Sequence, residues 1–150
     1  MEFAFNFFIY MLLLFPIVSI IHEFGHASFA KLYSQDIQEV SIGMGNVIFQ
    51  KGVFRIRSAY FAFGWVKLNH SNGKKMTKAQ TCLYLLGGII SNLLIAILLD
   101  ILTGYEFFTF RNYMDSFIFL SYLQVIINLI PLTATHGESD GKKVLQELQS

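Results

Sequence analysis

The sequence predicts an α-helical integral membrane protein with three transmembrane helices and a small membrane-associated β-sheet between the first helix and the second. Of its 150 residues, 54% are hydrophobic and only 14% are charged, which is typical of membrane proteins. The uncharged residues also fall into long runs, and such runs can cross a bilayer as helices. The net charge of +1, without a basic stripe, argues against a nucleic-acid partner and leaves the lipid bilayer as the expected surroundings.

The first uncharged run extends from Phe3 to Ile21 and predicts a helix over about residues 3–31. A secretory signal peptide is the competing interpretation. Glu2 stands where a signal peptide would be positively charged, however, and no small-residue cleavage site follows. We therefore expect a retained transmembrane helix, kinked near Pro16, whose far end lies at the membrane–water interface.

Residues 37–68 differ in sequence pattern from the long uncharged runs. Apolar and charged residues alternate from Phe54 to Arg57 with the period of a β-strand, and Lys51-Gly52 is a turn signal. The aromatic block at 60–65 is too short to span a bilayer as a helix. This pattern predicts a small antiparallel sheet at the membrane interface, although a plain amphipathic hairpin joining two helices explains it equally well.

The remaining elements follow in order. Thr77 and Gln80 have the spacing of a capping box, which predicts a second helix over about 79–101. The third helix is expected over about 115–131, ending at Pro131. Residues 132–150 form a tail with a short amphipathic helix. The whole chain, 1–150, is predicted to be a single membrane-embedded core.

The positive charges predict the orientation of this core. Ten of the eleven lysines and arginines fall on the side shared by the 31–80 loop and the tail, and only Arg111 falls opposite. The positive-inside rule then places the loop and the C-terminus in the cytoplasm and the N-terminus outside it.

The segment His22-Glu23-Phe24-Gly25-His26 reads H-E-x-x-H at the end of the first helix. Residues four apart share a helix face, so His22 and His26 can bind one metal ion while Glu23 polarises a water beside it. Zinc suits such a site, because catalytic zinc commonly takes three protein ligands and one water. The alternative is a helix end whose polar residues meet interfacial water. Ionisable groups at the end of a membrane helix are costly and usually functional, which favours the metal site.

A third protein ligand must come from elsewhere in the chain, and the tail offers His136, Glu138 and Asp140. All three would lie on the same side of the membrane as His22. Asp140 is favoured because Gly141 follows it and permits a tight turn. The start of the tail helix would also favour an ionised carboxylate.

Together these motifs resemble the site-2 protease family of intramembrane zinc metalloproteases. The resemblance is carried by H-E-x-x-H at 22–26, by a G-x-x-x-N element at Gly88–Asn92, and by an N-x-x-P…D-G element at Asn128–Pro131 and Asp140-Gly141. The stretches 43–45 and 63–68 are similar to the β region of the family.

The resemblance implies one zinc ion per chain, with Asp140 as the third ligand beside His22 and His26. Glu23 is expected to be the catalytic base, and Asn92 and Asn128 are expected to donate hydrogen bonds to the oxyanion or to the substrate backbone. A packing residue that is hydrogen-bonded to a neighbour explains Asn92 equally well. The sequence departs from the family in one spacing: Asp140 follows Asn128 by twelve residues rather than eight. It also lacks the PDZ-like insert of larger members, and so looks like the catalytic core alone.

The predicted function is that of an intramembrane zinc endopeptidase, which cleaves a membrane-associated peptide or protein near the cytoplasmic face. The alternative is a non-hydrolytic membrane protein of protease-like fold that binds a peptide or transports metal. A transporter is expected to carry polar groups through the bilayer depth, often in repeated halves. Here the candidate ligands collect at one end, and Glu23, which a non-hydrolytic relative would not need, is present.

Overall fold

The computed structural model describes residues 2–69, 75–104, 111–134 and 137–150. Most of the described chain is helical, and it carries one long two-stranded antiparallel sheet and one very short one. In chain order the elements are α1 (Glu2–Ile9), a π-helical segment (Tyr10–Leu14), α2 (Phe15–Leu32), β1 (Ile37–Lys51), β2 (Phe54–Leu68), α3 (Lys78–Thr103), α4 (Arg111–Leu129), β3 (Thr133–Ala134), β4 (Gly137–Glu138) and α5 (Asp140–Gln149).

The first helix is continuous from α1 to α2 but changes its hydrogen-bonding pattern on the way. The π-helical segment Tyr10–Leu14 ends directly before the first residues of α2, which include Pro16. Proline has no N–H to donate to the carbonyl one turn earlier, and the wider π pattern is one way in which a helix accommodates this loss. The irregularity therefore lies on the N-terminal side of Pro16, close to the predicted kink.

Two helical stretches in the described residues are long and apolar enough to cross a membrane, namely Phe5–Leu32 and Lys78–Thr103. The second begins at the predicted capping box, which is confirmed: Thr77 Oγ1 accepts from the Gln80 N–H, and Gln80 Oε1 accepts from the Thr77 N–H. The third expected span is not among the two. Its helix, Arg111–Leu129, carries polar and charged residues such as Asp115.

The expected antiparallel sheet is present as the hairpin β1–β2, which turns at Gly52. Its tip returns alongside its base, because Val40 pairs with both Val66 and Phe54, and Ile42 with both Gly64 and Ile56. The base rests on α2 through a buried apolar cluster, which consists of Ala27, Ala30, Ile37, Val40 and Leu68. This contact fixes β2 beside the H-E-x-x-H turn of α2.

The tail returns towards α2 through a second hairpin. Thr133 pairs with Glu138, and the N–H of Ser139 donates to the carbonyl of Leu132 at 3.0 Å. The hairpin occupies the longer spacing between Asn128 and Asp140. Ser139 then caps α5, its Oγ accepting from the Lys142 N–H at 3.3 Å, so that Asp140 is the first residue of the tail helix.

The helices α2 and α3 pack with their backbones almost in contact. A Cβ on Gly25 would lie only 2.3 Å from the carbonyl oxygen of Gly87, so a larger residue has no room at this crossing. Helix α5 packs on α3 and α4. The candidate site therefore forms where α2, α3, α5 and the end of β2 meet.

Candidate metal centre

Three donor atoms from distant parts of the chain converge in the interior. His22 Nε2 lies 3.0 Å from Asp140 Oδ2, and His26 Nε2 lies 3.2 Å from the same oxygen. The two imidazole nitrogens are themselves 3.2 Å apart. All three residues are buried. In the described part of the chain this is the one group of three such side chains that could hold a metal ion.

The hydrogen bond at Nδ1 of His26 determines whether Nε2 of the same ring has a free lone pair. His26 Nδ1 lies 2.8 Å from the carbonyl oxygen of Tyr84, which can only accept a hydrogen bond. Nδ1 therefore carries the hydrogen, and in the neutral ring Nε2 presents a lone pair to His22 and Asp140. Such anchoring of the outer nitrogen is usual for metal-binding histidines.

The donor set fits a zinc ion. In tetrahedral coordination with bonds of about 2.0–2.1 Å, neighbouring ligand atoms stand about 3.3 Å apart. The observed separations are 3.0–3.2 Å. Two imidazole nitrogens and one carboxylate oxygen are also ligands that zinc accepts, and the close approach of lone-pair atoms is relieved by a cation between them.

Asp140 is held at the site by its position at the start of α5. Burial alone would raise the pKa of Asp140, but polar contacts with His22 and His26 outweigh it and hold the pKa below its usual range. The following Gly141 packs against the end of α4, where a Cβ would lie 1.9 Å from the carbonyl oxygen of Leu129. Gly141 is helical, so it serves close packing rather than the tight turn that we expected.

Glu23 lies next to this donor set, on the wall of a cavity of about 470 Å³ that it shares with His22, His26 and Asp140. It is buried. The backbone of β2 presses on it at Gly64, where a Cβ would come within 2.9 Å of three atoms of the Glu23 side chain. Apolar residues complete the wall, including Phe63, Trp65, Ile127 and Leu132. The carboxylate therefore lies beside a half-open cavity large enough for a peptide segment.

The remaining residues expected at the site are distributed as follows. Asn128 lines the cavity, and its amide donates to the carbonyl of Gln124 at 3.0 Å. Asn92 is fully buried beside His22 and is not part of the cavity wall. Glu138 lines the cavity, but its carboxylate pairs with Lys142 at 2.9 Å. His136 lies outside the described residues.

The structure adds three residues to those that the sequence pointed to. Tyr84 contributes the backbone carbonyl that binds His26 Nδ1, and a backbone contact of this kind cannot be predicted from a side-chain pattern. Gly64 stands in a strand, where glycine often marks a close approach of the backbone to another group, so its position was a usable signal. Lys143 lines the cavity with its Nζ 3.4 Å from Asp140 Oδ1, one helical turn after this residue.

Two apolar helices, a small sheet and a buried His–His–Asp set beside a glutamate describe a membrane metallopeptidase. The family model of Peptidase family M50 matches residues 10–109, two thirds of the sequence, and the chain belongs to this family, the site-2 protease family. Members of the family are zinc metallopeptidases. The matched residues include His22, Glu23 and His26 but end before Asp140. No curated protein matches the sequence.

Proposed function

We propose that this protein is an intramembrane zinc endopeptidase, which cleaves a membrane-associated peptide or protein near the cytoplasmic face. The observation that carries the proposal is the convergence of His22 Nε2, His26 Nε2 and Asp140 Oδ2 within 3.2 Å of one another, on a cavity shared with Glu23. Membership of the M50 family supports the same reaction class.

The chemistry divides between the metal and the side chains. A bound zinc ion would polarise a water molecule and lower its pKa towards about 7. Glu23 would accept the proton that this water loses as its oxygen attacks the scissile carbonyl carbon. Glu23 would then return the proton to the amide nitrogen as the carbon–nitrogen bond breaks. Asn128, on the same wall, would donate its second amide hydrogen to the substrate backbone.

The cavity wall suggests how a substrate would be held. Residues 40–42 already have paired neighbours on both sides, whereas residues 64–66 pair, within the described part of the chain, only with 40–42. A membrane-spanning segment must unwind before its peptide bonds can be reached, because helical amides are internally bonded. An unwound segment could add along residues 64–66, beside Glu23, with its apolar side chains against Phe63 and Trp65.

The orientation in the membrane is part of the proposal. With α4 as a third span, the 31–80 loop, the metal centre and α5 would lie on the cytoplasmic side and the N-terminus outside. The distribution of ten positive charges against one supports this arrangement.

The decisive experiment compares the purified wild-type protein with the Glu23→Gln variant in detergent. We expect both to contain about one zinc per chain and only the wild type to cleave, because the amide of the variant cannot accept a proton while the proposed ligands are intact. The inactive variant should also retain substrates, which mass spectrometry can identify. A variant that loses zinc together with activity would make Glu23 a ligand instead, and a wild type without metal or cleavage would refute the proposal.

The third ligand has its own test with matched variants in the tail. Asp140→Ala should lose both zinc and cleavage, whereas Glu138→Ala should keep both, since Glu138 pairs with Lys142 rather than with the histidines. His136→Ala should behave like Glu138→Ala. If zinc disappears from either control variant and stays in Asp140→Ala, the ligand role passes to the residue whose loss removed it.

A further inference from the structure

One face of α3 lies against both histidines. Tyr84, Gly88 and Asn92 follow each other at intervals of four residues, so they form a single stripe along the helix. His22 and His26 are also four residues apart and form the matching stripe on α2. The two helices cross closely where Gly25 meets Gly87, which brings the stripes together.

The first two members of the α3 stripe act on the rings in different ways. The Tyr84 carbonyl oxygen binds His26 Nδ1 at 2.8 Å, which leaves Nε2 of that ring with its lone pair. Gly88 leaves space for the ring of His22: a Cβ there would lie 2.6 Å from both its Cε1 and its Nε2. The His22 imidazole therefore packs directly against the backbone of α3 at Gly88.

Asn92, the third member, is fully buried. Its Nδ2 lies 3.5 Å from His22 Nδ1, while its Oδ1 is buried without a hydrogen-bond partner among the described residues. A rotation of the amide by 180° exchanges two atoms of nearly equal size. It would bring Oδ1 to His22 Nδ1, and the unpartnered acceptor would then receive the hydrogen of that nitrogen.

With the amide of Asn92 rotated, His22 and His26 have the same tautomer. With its hydrogen on Nδ1, neutral His22 presents a lone pair on Nε2, as His26 does. In the unrotated arrangement Asn92 would donate to Nδ1, and the hydrogen of the neutral ring would sit on Nε2, between His22 and Asp140. A ring in that state cannot bind a metal through Nε2.

We propose that Asn92 is a positioning residue, which accepts a hydrogen bond from His22 Nδ1 and so directs the Nε2 lone pair of His22 into the donor set. Tyr84 does the same for His26, and Gly88 sets the depth of the His22 ring. Asn92 therefore acts on the histidine and not on the substrate, in keeping with its absence from the cavity wall. This inference rests on the proposed metal site but includes a property of the metal-free protein.

The first test measures zinc affinity by competition with a chelator. Asn92→Leu removes the acceptor at similar volume and should weaken zinc binding about 10- to 100-fold, as loss of an outer hydrogen-bond partner of a metal-binding histidine typically does. Asn92→Asp keeps an oxygen acceptor and should bind zinc close to the wild-type affinity. Ser121→Ala is the matched control, since Ser121 is equally buried but bonds only within its own helix.

The second test measures the protonation of the His22 ring nitrogens directly, in the metal-free protein. In wild-type protein with ¹⁵N-labelled histidine, the resonances of His22 should show a protonated Nδ1, whatever the state of Nε2 beside Asp140, with assignment by comparison with His22→Ala. In Asn92→Leu the hydrogen should redistribute between the two nitrogens, while His26 keeps its state. An unprotonated Nδ1 of His22 in the wild type, or wild-type zinc affinity in Asn92→Leu, would overturn the inference. Absence of zinc binding by the wild type would instead overturn the proposed function, and the resonances would still decide the role of Asn92.

Discussion

The backbone of Gly64 packs against the side chain of Glu23, so closely that a methyl group on Gly64 would overlap three atoms of the carboxylate end. A residue of the hairpin thereby determines where the side chain of a helix residue can lie. The hairpin is thus part of the candidate site and not a mere connection between α2 and α3. This relationship gives the first of four predictions.

Gly64→Ala should displace the Glu23 carboxylate and leave the metal donors where they are, because these come from α2 and α5. We expect kcat to fall by about 100-fold with unchanged zinc content, because misplacing a reacting group by about 1 Å can cost this much. Steady-state kinetics and metal analysis on the same preparation measure both. Lys67→Ala, at an exposed position of the same strand, is the control. Full activity of Gly64→Ala would show that Glu23 tolerates the movement or is not the base.

Gly141→Ala should displace Asp140, the donor that α5 contributes to the site. The added methyl group would meet the carbonyl oxygen of Leu129, a backbone atom that cannot move aside as a flexible side chain could. The start of α5 must shift, and Asp140 with it. We expect weaker zinc binding and a loss of about 1–3 kcal/mol in the free energy of unfolding, as in overpacked interiors. Gln149→Ala, exposed on the same helix, should match the wild type in both measurements, and equal zinc affinity in the Gly141 variant would contradict the prediction.

The hairpin should lose stability in acid. Glu39 binds Arg57 at 2.9 Å and Arg55 at 2.5 Å across the sheet. Burial raises the pKa of Glu39, but the hydrogen bond from Arg57 and the charge of Arg55 outweigh it, so the folded-state pKa lies below 4.5. A depressed folded-state pKa means that the stabilisation is complete above about pH 4.5 and is lost as the pH falls through the folded value.

Hydrogen exchange of the β1–β2 amides tests this expectation, with each variant compared with the wild type at the same pH. Glu39→Gln should be less stable than the wild type near neutral pH, by about 2 kcal/mol for the lost charged hydrogen bonds. The difference should shrink in acid as the wild-type carboxylate becomes protonated. A difference that stays constant from about pH 6 to about pH 3 would exclude this role of Glu39.

The third span can be tested separately from the second. In a Cys82→Ala background, single cysteines replace Lys75, Gly104 or Ser150, and an impermeant reagent labels them from either side. Lys75 and Gly104 flank α3, and Ser150 lies beyond α4 and α5. We expect the Lys75 and Ser150 positions to label from the cytoplasm and the Gly104 position from the opposite side. Labelling of Gly104 and Ser150 from the same side would leave α4 as a helix that does not cross the membrane.

The parts of the structure that were predictable from sequence depend on spacing within one segment. The placement of His22 and His26 on one helix face, the cap at Thr77 and the antiparallel hairpin are all of this kind. The other parts arise between segments. That the Tyr84 carbonyl would face His26, or that the tail helix would rest on the end of α4, depends on how helices pack, and backbone atoms carry no residue signature. The long spacing before Asp140 was visible in the sequence, but not the β3–β4 hairpin that folds it back.

That hairpin also has a consequence for the order of events during synthesis. His22 and Asp140 are 118 positions apart, and the ribosome produces the first long before the second. A nascent chain can therefore insert its first helix, with the H-E-x-x-H turn complete, while the aspartate does not yet exist. The buried His–His–Asp set closes only when the last turn-forming residues have left the ribosome. Until then the growing chain carries only two of the three donors that converge in the folded protein.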